Sequence, residues 1–195
     1  MKFYYPLKPI RITIDSSVFI NCNQDDNYIL QVKKNGWRVQ IHKDGDDVKF
    51  FTRHNKRMEP MIADADWEML RQLVRDNVKA DSVVCDGEML HRRGDLKNTI
   101  YLWDIFELNN EIVSQPYFER KQILNSIVVN HFNFYVAEDY ESGTFQQVWD
   151  KLFNIQEDEG VVIKDRREKH FINYKESHKS SKQFKILLED KRNSI

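Results

Sequence analysis

Residues 28–42 read YILQVKKNGWRVQIH, two strand-like runs separated by the turn-forming pair Asn35-Gly36. Such a pair between two strand-forming runs is a strong hairpin signal. Asp44-Gly45-Asp46 marks a second turn before a third run, Val48 to Thr52. The sequence therefore predicts three consecutive strands joined by hairpins, with Lys33 at the end of the first strand.

The rest of the chain alternates between helix and strand patterns. A helix is predicted to begin after Asp66, a good N-cap residue, with Trp67, Leu70 and Val74 on one apolar face. The other predicted strands cover residues 82–91, 98–108, 132–137, 161–164, 170–174 and 183–188, and the other predicted helices cover 117–129 and 145–153. Hairpin strands mixed with separate helices indicate an α+β fold, in which largely antiparallel sheets are flanked by helices.

Length and composition favour a single domain over residues 1–195, with residues 1–27 as an N-terminal lead-in. The 195 residues are 41% hydrophobic and include only 6 Gly and 4 Pro, as in an ordered globule. A net charge of −1 gives no overall field for nucleic acid, although residues 164–192 contain ten Lys and Arg against five Asp and Glu. Two cysteines are too few for a disulfide framework, and no apolar run has the length of a membrane span. We therefore expect a cytoplasmic protein without membrane contact.

The order of the polar residues predicts nucleotidyl transfer through a lysine. Lys33 is followed along the chain by two acidic groups, an aromatic pair and two more lysines, Lys164 and Lys185. A lysine amine attacks phosphorus only without its extra proton, and its reference pKa of about 10.4 must be lowered by desolvation, neighbouring cations or a bound metal. Clustered positive charge would serve both the nucleophile and a triphosphate.

Carboxylates and aromatic side chains complete this set. Magnesium takes one or two carboxylates and fills its other positions with water and phosphate oxygens, so Glu88 and Glu159 are candidate metal ligands. Tyr101 and Trp103 lie two residues apart on a predicted strand and share a face, and either ring could stack on a purine. Trp103 is the preferred platform because it directly precedes Asp104. Both rings could also be ordinary core residues, and Lys33 an ordinary solvated strand end.

Together these residues resemble the covalent nucleotidyltransferase superfamily, which contains ATP-dependent DNA ligases, RNA ligases and messenger-RNA capping guanylyltransferases. The first motif of the family is Lys-x-Asp-Gly-x-Arg, in which Lys33 matches the nucleotide-accepting lysine, Gly36 the glycine and Arg38 the arginine that engages phosphate. Glu159-Gly-Val-Val-Ile-Lys164 matches the fourth motif completely. The resemblance implies a nucleotidyltransferase (ATP-grasp-like) domain, with the nucleotide pocket between its sheets.

The same resemblance assigns roles to further positions. Asp86-Gly87-Glu88 is similar to the Asp-Gly-Glu element and Tyr101 to Ile105 to the aromatic strand that stacks on the base. Arg53, within residues 51–55, would contact the ribose, and residues 116–120 are similar to a Leu-Glu-Arg-Arg stretch of DNA ligases. Lys164 and Lys185 would stabilise charge on the transferring phosphoryl group.

Several positions depart from the family pattern. Asn35 replaces the aspartate of the first motif, a change that RNA ligases tolerate more readily. Gln31 stands where DNA ligases carry a glutamate that accepts from adenine N6, and its amide also offers a donor, which weakens the exclusion of guanine. The fifth motif of the family has two lysines separated by one residue. Only Lys185 is present here, and Lys182 is a candidate replacement for the missing lysine. Ten residues after Lys185 leave no room for the usual oligonucleotide-binding (OB) fold, so we expect no OB-fold domain. Either the chain is a minimal catalytic domain, or an OB-fold-containing partner or another part of a larger protein closes the site.

The leading hypothesis is a monomeric ATP-dependent polynucleotide ligase that uses ATP with Mg²⁺ or Mn²⁺ and acts on nicked double-stranded nucleic acid. DNA is slightly favoured over RNA, and a small ligase of this kind fits DNA repair or replication, or a virus that uses it in the host cytoplasm. One alternative is a capping guanylyltransferase that loads GMP on Lys33. The other is a nucleotide- or end-binding module that has lost turnover.

Overall fold

The computed structural model describes residues 2–90, 97–152, 157–170 and 174–189. The strands of the described part are β1 (Lys8–Arg11), β2 (Tyr28–Lys34), β3 (Trp37–Asp44), β4 (Asp47–Thr52), β5 (Ser82–Leu90), β6 (Thr99–Leu108), β7 (Glu111–Ile112), β8 (Phe134–Val136), β9 (Tyr140–Glu141), β10 (Asp158–Asp165) and β11 (Lys179–Leu187). The α-helices are α1 (Ser17–Asn23), α2 (Asp64–Asn77), α3 (Tyr117–Ile127) and α4 (Phe145–Lys151), and Glu59–Met61 forms a 3-10 turn.

The strands form two sheets. The five-stranded sheet has the order β1-β11-β10-β2-β9, and the six-stranded sheet has the order β4-β3-β5-β6-β7, with β8 paired to β6. Among the described pairs, β1 with β11 and β6 with β8 are parallel and the others antiparallel. The predicted α+β fold with largely antiparallel sheets is confirmed.

One of the two predicted hairpins is wrong. β3 and β4 pair as a hairpin from Val39 opposite Thr52 to Asp44 opposite Asp47, as expected. β2 and β3, however, lie in different sheets, so Asn35-Gly36 is a crossing between sheets. The crossing requires a glycine, because a Cβ added at Gly36 would lie 2.5 Å from the carbonyl oxygen of Met89. The glycine here serves close packing against β5.

Most other predicted elements are present with shifted ends. Asp66 is not the N-cap: α2 begins at Asp64, with Ala63 as its cap, and Asp66 lies in the first turn, where a negative charge favours the helix dipole. Its apolar face is as predicted, with Trp67, Leu70 and Val74 buried. The interior of the predicted strand 170–174 and the predicted ends at His91 and Phe153 lie outside the described residues.

Each sheet packs its outer face against helices. The core of the six-stranded sheet includes side chains of α2 and α3, and the core of the five-stranded sheet includes side chains of α1 and α4. The inner faces carry polar residues and meet in a cleft. Residues 1–27, expected as a lead-in, contain β1 and α1, and β1 is the edge strand beside β11. In the described ranges, no helix is long and apolar enough to cross a membrane.

Candidate active site

The inner face of the five-stranded sheet brings the three predicted lysines together. Lys33 of β2 lies opposite Gly160 of β10, and Lys185 of β11 lies opposite Val162. Side chains two residues apart share a face of a strand, so Lys164 lies on the same face as Val162. The side chains at the intervening positions of β10, Val161 and Ile163, point to the other face of the sheet and are buried in its core. Lys33 thus shares one surface with two lysines that are more than 100 residues away in sequence.

A β-bulge aims Glu159 at Lys33. The pairing of β10 with β2 shifts between Asp158 and Gly160, so that Glu159 is an extra residue in the strand. In a regular strand Glu159 would share the core face with Val161, but a bulge redirects the side chain. Its carboxylate accepts a hydrogen bond from Lys33 Nζ and forms an ion pair with it. The first and fourth motifs are therefore in direct contact.

Glu88 faces this pair from the six-stranded sheet. It is 5% exposed, and its Oε1 accepts a hydrogen bond from the backbone N–H of Gly36 at 3.0 Å. Burial raises the pKa of Glu88 to about 7, against the opposing effects of Lys33 and Arg38. The negative charge of Glu159 also raises it, which means that the two acids lie close enough to repel each other.

Arg38 and Trp103 are linked through Asp86. The Arg38 guanidinium donates from Nε to Asp86 Oδ1 at 3.0 Å and from Nη2 to Oδ2, and the Trp103 indole N–H donates to Oδ2 at 2.8 Å. The guanidinium carbon lies 5.5 Å from the centroid of the Trp103 ring. Although burial opposes it, Asp86 raises the pKa of Arg38 above its ordinary value. Asp86 thereby fixes both the Arg38 guanidinium and the Trp103 ring.

Tyr101 lies beside Glu88 in the sheet and packs on Tyr135. The two rings are stacked, with centroids 5.4 Å apart, and burial raises the pKa of Tyr101 to about 12, with a further contribution from Tyr135. The ammonium of Lys34 lies 4.9 Å from the Tyr101 centroid and 2.7 Å from Asp158. Lys34 is thus held by Asp158 and Tyr101, whereas its neighbour Lys33 pairs with Glu159.

Lys164 is the buried cation of the cleft. It is 7% exposed, and its Nζ lies 4.8 Å from the centroid of the Tyr117 ring. Burial lowers the pKa of Lys164 to about 8, although Asp104 and Asp139 act in the opposite direction. Burial thus favours the neutral amine of Lys164 more than solvent would.

A hydrogen-bond network around Gln31 was missed by sequence reasoning. Gln31 Nε2 donates to the hydroxyl of Tyr117 at 2.9 Å and to Asp139 Oδ1 at 2.6 Å. Tyr117 in turn donates to Asp139 at 3.0 Å, and Lys121 Nζ lies 3.0 Å from the same oxygen. Asp139 is the second residue after the predicted strand 132–137, and this position was the available signal.

Two predicted ligand contacts are not brought to the lysine face. Lys182 Nζ lies 3.8 Å from Asp165, which follows Lys164 and therefore lies on the opposite face of β10. Arg53 is exposed in the turn after β4, where its Nε contacts His54 at 3.0 Å. The pairing of Val39 with Thr52 puts Arg53 at the same end of the sheet as Gly36 but outside the described contacts of the cleft.

Residues 116–120 connect the two sheets. Arg120 forms a two-pronged ion pair with Asp104 of β6, at 2.8 and 2.9 Å, and donates to the carbonyl oxygen of Glu168 just beyond β10. Burial would raise the pKa of Asp104, yet Arg120, His170 and Lys164 hold it well below its usual range. Arg120 thus holds Asp104 of the six-stranded sheet next to the end of β10 in the five-stranded sheet.

The acidic residues of the cleft fit a divalent cation that is held mainly by its substrate. Glu88 and Glu159 supply two carboxylates next to Lys33, as a magnesium ion bound to phosphates requires. Within the described ranges, no cluster of three or more His, Cys, Asp or Glu residues could hold a metal ion by itself. The donor set matches a cation that arrives with a nucleotide.

Comparisons with known proteins agree with this architecture. A family model described as ATP dependent DNA ligase domain matches residues 12–99. The chain is 25% identical over 193 residues to DNA ligase 3 of Dictyostelium discoideum, covering 85% of this chain and 16% of that protein. It is 30% identical over 167 residues to the SPbeta prophage-derived DNA ligase-like protein LigB of Bacillus subtilis (strain 168), covering 79% of this chain and 60% of that protein. The chain thus spans 16% of the length of the first relative and 60% of the length of the second.

Solved structures with the same fold include mycobacterial DNA ligase D in complex with ATP and MES. The TM-score is 0.64 at 16% identity, covering 94% of this chain and 60% of that chain. The ATP-dependent DNA ligase from bacteriophage T7, in complex with ATP, gives a TM-score of 0.58 at 18% identity, covering 95% of this chain and 69% of that chain. At these identities the likeness concerns the fold.

Proposed function

We propose that this chain, whose residues 12–99 match the ATP dependent DNA ligase domain, is the catalytic domain of an ATP-dependent polynucleotide ligase that carries AMP on Lys33. The full reaction would load AMP from ATP, pass it to the 5′-phosphate at a nick and seal the strand. DNA is favoured over RNA as the substrate, because the relatives are named DNA ligases.

The observation that carries this proposal is the contact of Lys33 with Glu159 on a face shared with Lys164 and Lys185. Taken singly, none of these residues would indicate a function. A lysine held at the mouth of a cleft, with two further lysines beside it, is the arrangement that nucleophilic attack on a phosphate ester requires. The position of Glu88 on the opposite wall supports the same interpretation.

In the loading step, Lys33 Nζ would form a bond to the α-phosphorus of ATP while the bond to the pyrophosphate oxygen breaks. The ammonium must first lose a proton, which would pass to water, while the Glu159 carboxylate in contact with Nζ orients the amine. Glu88 and Glu159 would also hold a divalent cation, Mg²⁺ or Mn²⁺, whose chemistry is to neutralise the departing pyrophosphate. Lys164 and Lys185 would stabilise the charge that develops on the transferring phosphoryl oxygens.

The base would lie between the sheets. Val162 is a partly exposed apolar side chain on the lysine face, opposite Gln31 in the pairing of β2 with β10. Trp103, held by Asp86, is the proposed aromatic platform, and Tyr101 is the second candidate. Arg38 donates two of its N–H groups to Asp86, and its remaining N–H groups could donate to a phosphate. Arg53 would contact ribose and Lys182 phosphate only after a local rearrangement.

The partners are also part of the proposal. A nicked duplex would be the nucleic-acid substrate, an OB-fold-containing partner would close the site, and the chain would act as a monomer in the cytoplasm. The basic segment from Lys164 onward, together with Arg57 and Arg38, offers phosphate contacts.

Intact-mass analysis after incubation with ATP and Mg²⁺ tests the loading step. The wild-type chain should gain one AMP, and Lys33→Ala should gain none. Lys49→Ala is the matched control, because Lys49 is an exposed lysine that pairs with Asp47 at the edge of the six-stranded sheet. Stable labelling of the wild type by GTP alone would instead indicate a guanylyltransferase, and ATP binding without any covalent label would indicate a binding module.

The transfer steps are tested by discharge of the loaded protein. The AMP adduct should disappear on addition of nicked DNA, with appearance of a sealed strand on a denaturing gel. A parallel reaction with nicked RNA–DNA hybrids decides the substrate preference. Faster sealing of the RNA-containing nick would contradict the preference for DNA, and a persistent adduct with every nick would contradict ligase activity.

A further inference from the structure

We propose that Asp139 gives the nucleotide site its preference for a 6-amino purine over a 6-oxo purine, by fixing the orientation of the Gln31 side-chain amide. This inference rests on the proposed function, because it assumes that the base of the nucleotide lies against Gln31. It assigns Asp139 a positioning role, since the carboxylate acts on the base only through the amide.

The amide nitrogen of Gln31 has two acceptors. Nε2 lies 2.9 Å from the hydroxyl oxygen of Tyr117 and 2.6 Å from Asp139 Oδ1. Gln31 is 4% exposed, so neither contact is replaced by bulk water. Both N–H groups of the amide are therefore used within the protein, in a region where an unpaired polar group is costly.

The direction of these hydrogen bonds follows from the chemistry of Asp139. A carboxylate only accepts, and the Tyr117 hydroxyl donates to it at 3.0 and 3.1 Å. Burial and the charge of Asp139 raise the pKa of Tyr117 well above its ordinary value, which keeps the phenol protonated. The Tyr117 oxygen then serves as an acceptor for Gln31, and Lys121 adds a third donor to Asp139. Turning the amide over would place its oxygen against Asp139, so the carboxylate permits one orientation.

That orientation leaves the Gln31 carbonyl oxygen for a ligand. Among the described residues, no hydrogen bond to Gln31 Oε1 is present. Gln31 lies two residues before Lys33 on the same face of β2, within reach of a nucleotide attached there. An exocyclic amine at purine position 6 can donate to this oxygen, whereas a carbonyl at that position meets acceptor with acceptor. A freely rotating glutamine would serve both bases, so the selectivity depends on Asp139.

Equilibrium binding of ATP and GTP without divalent metal tests the inference independently of catalysis. We expect the wild-type chain to bind ATP at least about tenfold more tightly than GTP, which is the effect of one well-placed buried hydrogen bond. In Asp139→Asn, whose amide can donate as well as accept, the ratio should fall to about threefold or less. Asp150→Asn is the matched control, an exposed aspartate on α4 that accepts from Gln146, and its ratio should equal that of the wild type.

A rescue variant separates positioning from general damage. In Asp139→Asn with Gln31→Glu, the new carboxylate only accepts, so it can take a hydrogen bond from Asn at 139 and still face the base with an acceptor. The ATP preference should return to the wild-type ratio. Tyr117→Phe keeps the ring under Lys164 but removes one acceptor of the Gln31 amide, and a ratio lowered by about threefold is expected. If Asp139→Asn does not fold, Tyr117→Phe tests the inference in its place.

The possible results discriminate the two proposals. An unchanged ATP-to-GTP ratio in Asp139→Asn overturns the inference, as does an equal loss of both affinities without rescue by Gln31→Glu, or a wild type without preference. Intact-mass measurement of nucleotide loading is run in parallel. If AMP is loaded but the ATP-to-GTP affinity ratio does not depend on Asp139, the proposed function stands and the inference falls. If the ratio depends on Asp139 but no AMP is loaded, base recognition is supported and ligase chemistry is not.

Discussion

At the scale of single residues, we expect Lys164 to couple nucleotide binding to pH. Burial lowers its pKa to about 8, so the free protein loses this charge as the pH rises above that value. A triphosphate beside Nζ favours the ammonium form, and binding above pH 8 should therefore take up a proton. We expect ATP affinity to fall by up to about tenfold per pH unit above about pH 8. Calorimetry in two buffers with different ionisation enthalpies measures both quantities.

Lys164→Arg is the control for this prediction. A guanidinium stays charged throughout the range, so the affinity of the variant should lose the dependence that Lys164 contributes. The same slope and the same proton uptake in wild type and variant would show that a group other than Lys164 is responsible.

Glu88 should make the folded protein less stable as the pH rises. Its pKa of about 7 lies above the ordinary value of 4.5, so the folded state binds more protons than the unfolded state between these two values. Stability is then highest below the unfolded pKa and is lost as the pH rises through 7. Glu88→Gln, which keeps the acceptor for the Gly36 N–H, should raise the free energy of unfolding at pH 8 by on the order of 3 kcal/mol and change it little at pH 4. Urea unfolding at both pH values measures the difference, and an equal effect at each would contradict it.

At the scale of elements, the bulge in β10 depends on Gly160. Its φ of +152° and the approach of the Ile186 carbonyl oxygen, 2.0 Å from an added Cβ, exclude a side chain. We expect Gly160→Ala to destabilise the fold by at least about 3 kcal/mol and to abolish loading of Lys33, because Glu159 is displaced. Thermal unfolding and intact mass provide the readouts.

Gly143→Ala isolates the packing contribution to this effect. Gly143 also has a positive φ, +81°, but an added Cβ there would meet no atom within 4 Å. It should cost only about 1 kcal/mol and leave loading intact. Equal destabilisation by the two substitutions would mean that backbone conformation, and not the contact with β11, decides the effect at Gly160.

The elements that the sequence predicted well are those whose signal is local. The hairpin of β3 and β4 follows from Asp44-Gly45-Asp46, and the buried face of α2 follows from the spacing of Trp67, Leu70 and Val74. The same turn argument failed at Asn35-Gly36. The glycine is required there because it packs closely against the carbonyl oxygen of Met89, a residue distant in sequence. Short strands such as β1 and β9 have no pattern of their own and form only against β11 and β2.

At the scale of the whole molecule, the site joins residues that no local pattern connects. Lys33 and Glu159 are 126 residues apart, and Gln31 and Asp139 are 108 apart. Motif order along the chain was sufficient to nominate Lys33, Glu159 and Lys164, since resemblance carries long-range information. It did not nominate Asp139, which lies outside the motifs, and it gave no role to Tyr117, which lies within residues 116–120. Both act through hydrogen bonds that only the packed sheets create. The bulge that turns Glu159 toward the cleft was likewise not visible in the sequence.

The junction between the sheets should determine how the molecule responds to acid. Arg120 joins Asp104 of one sheet to the backbone beyond β10 of the other, and the pKa of Asp104 is held well below 3.8. This ion pair stabilises the fold fully above the unfolded pKa, and its contribution is lost as the pH falls below that value. Asp104→Asn leaves Arg120 buried without its counter-charge and should cost about 3–5 kcal/mol at pH 7.

The same variant should also lose less stability than the wild type between about pH 4 and pH 2, because the titrating group is gone. Asp47→Asn, which removes the exposed partner of Lys49, is the control and should change neither the stability at pH 7 nor the acid limb measurably. Urea unfolding across this pH range decides the matter. If Asp104→Asn and the wild type show parallel acid limbs, the ion pair with Arg120 is not what links the two sheets energetically, and the stability of the cleft must come from the separate apolar cores on their outer faces.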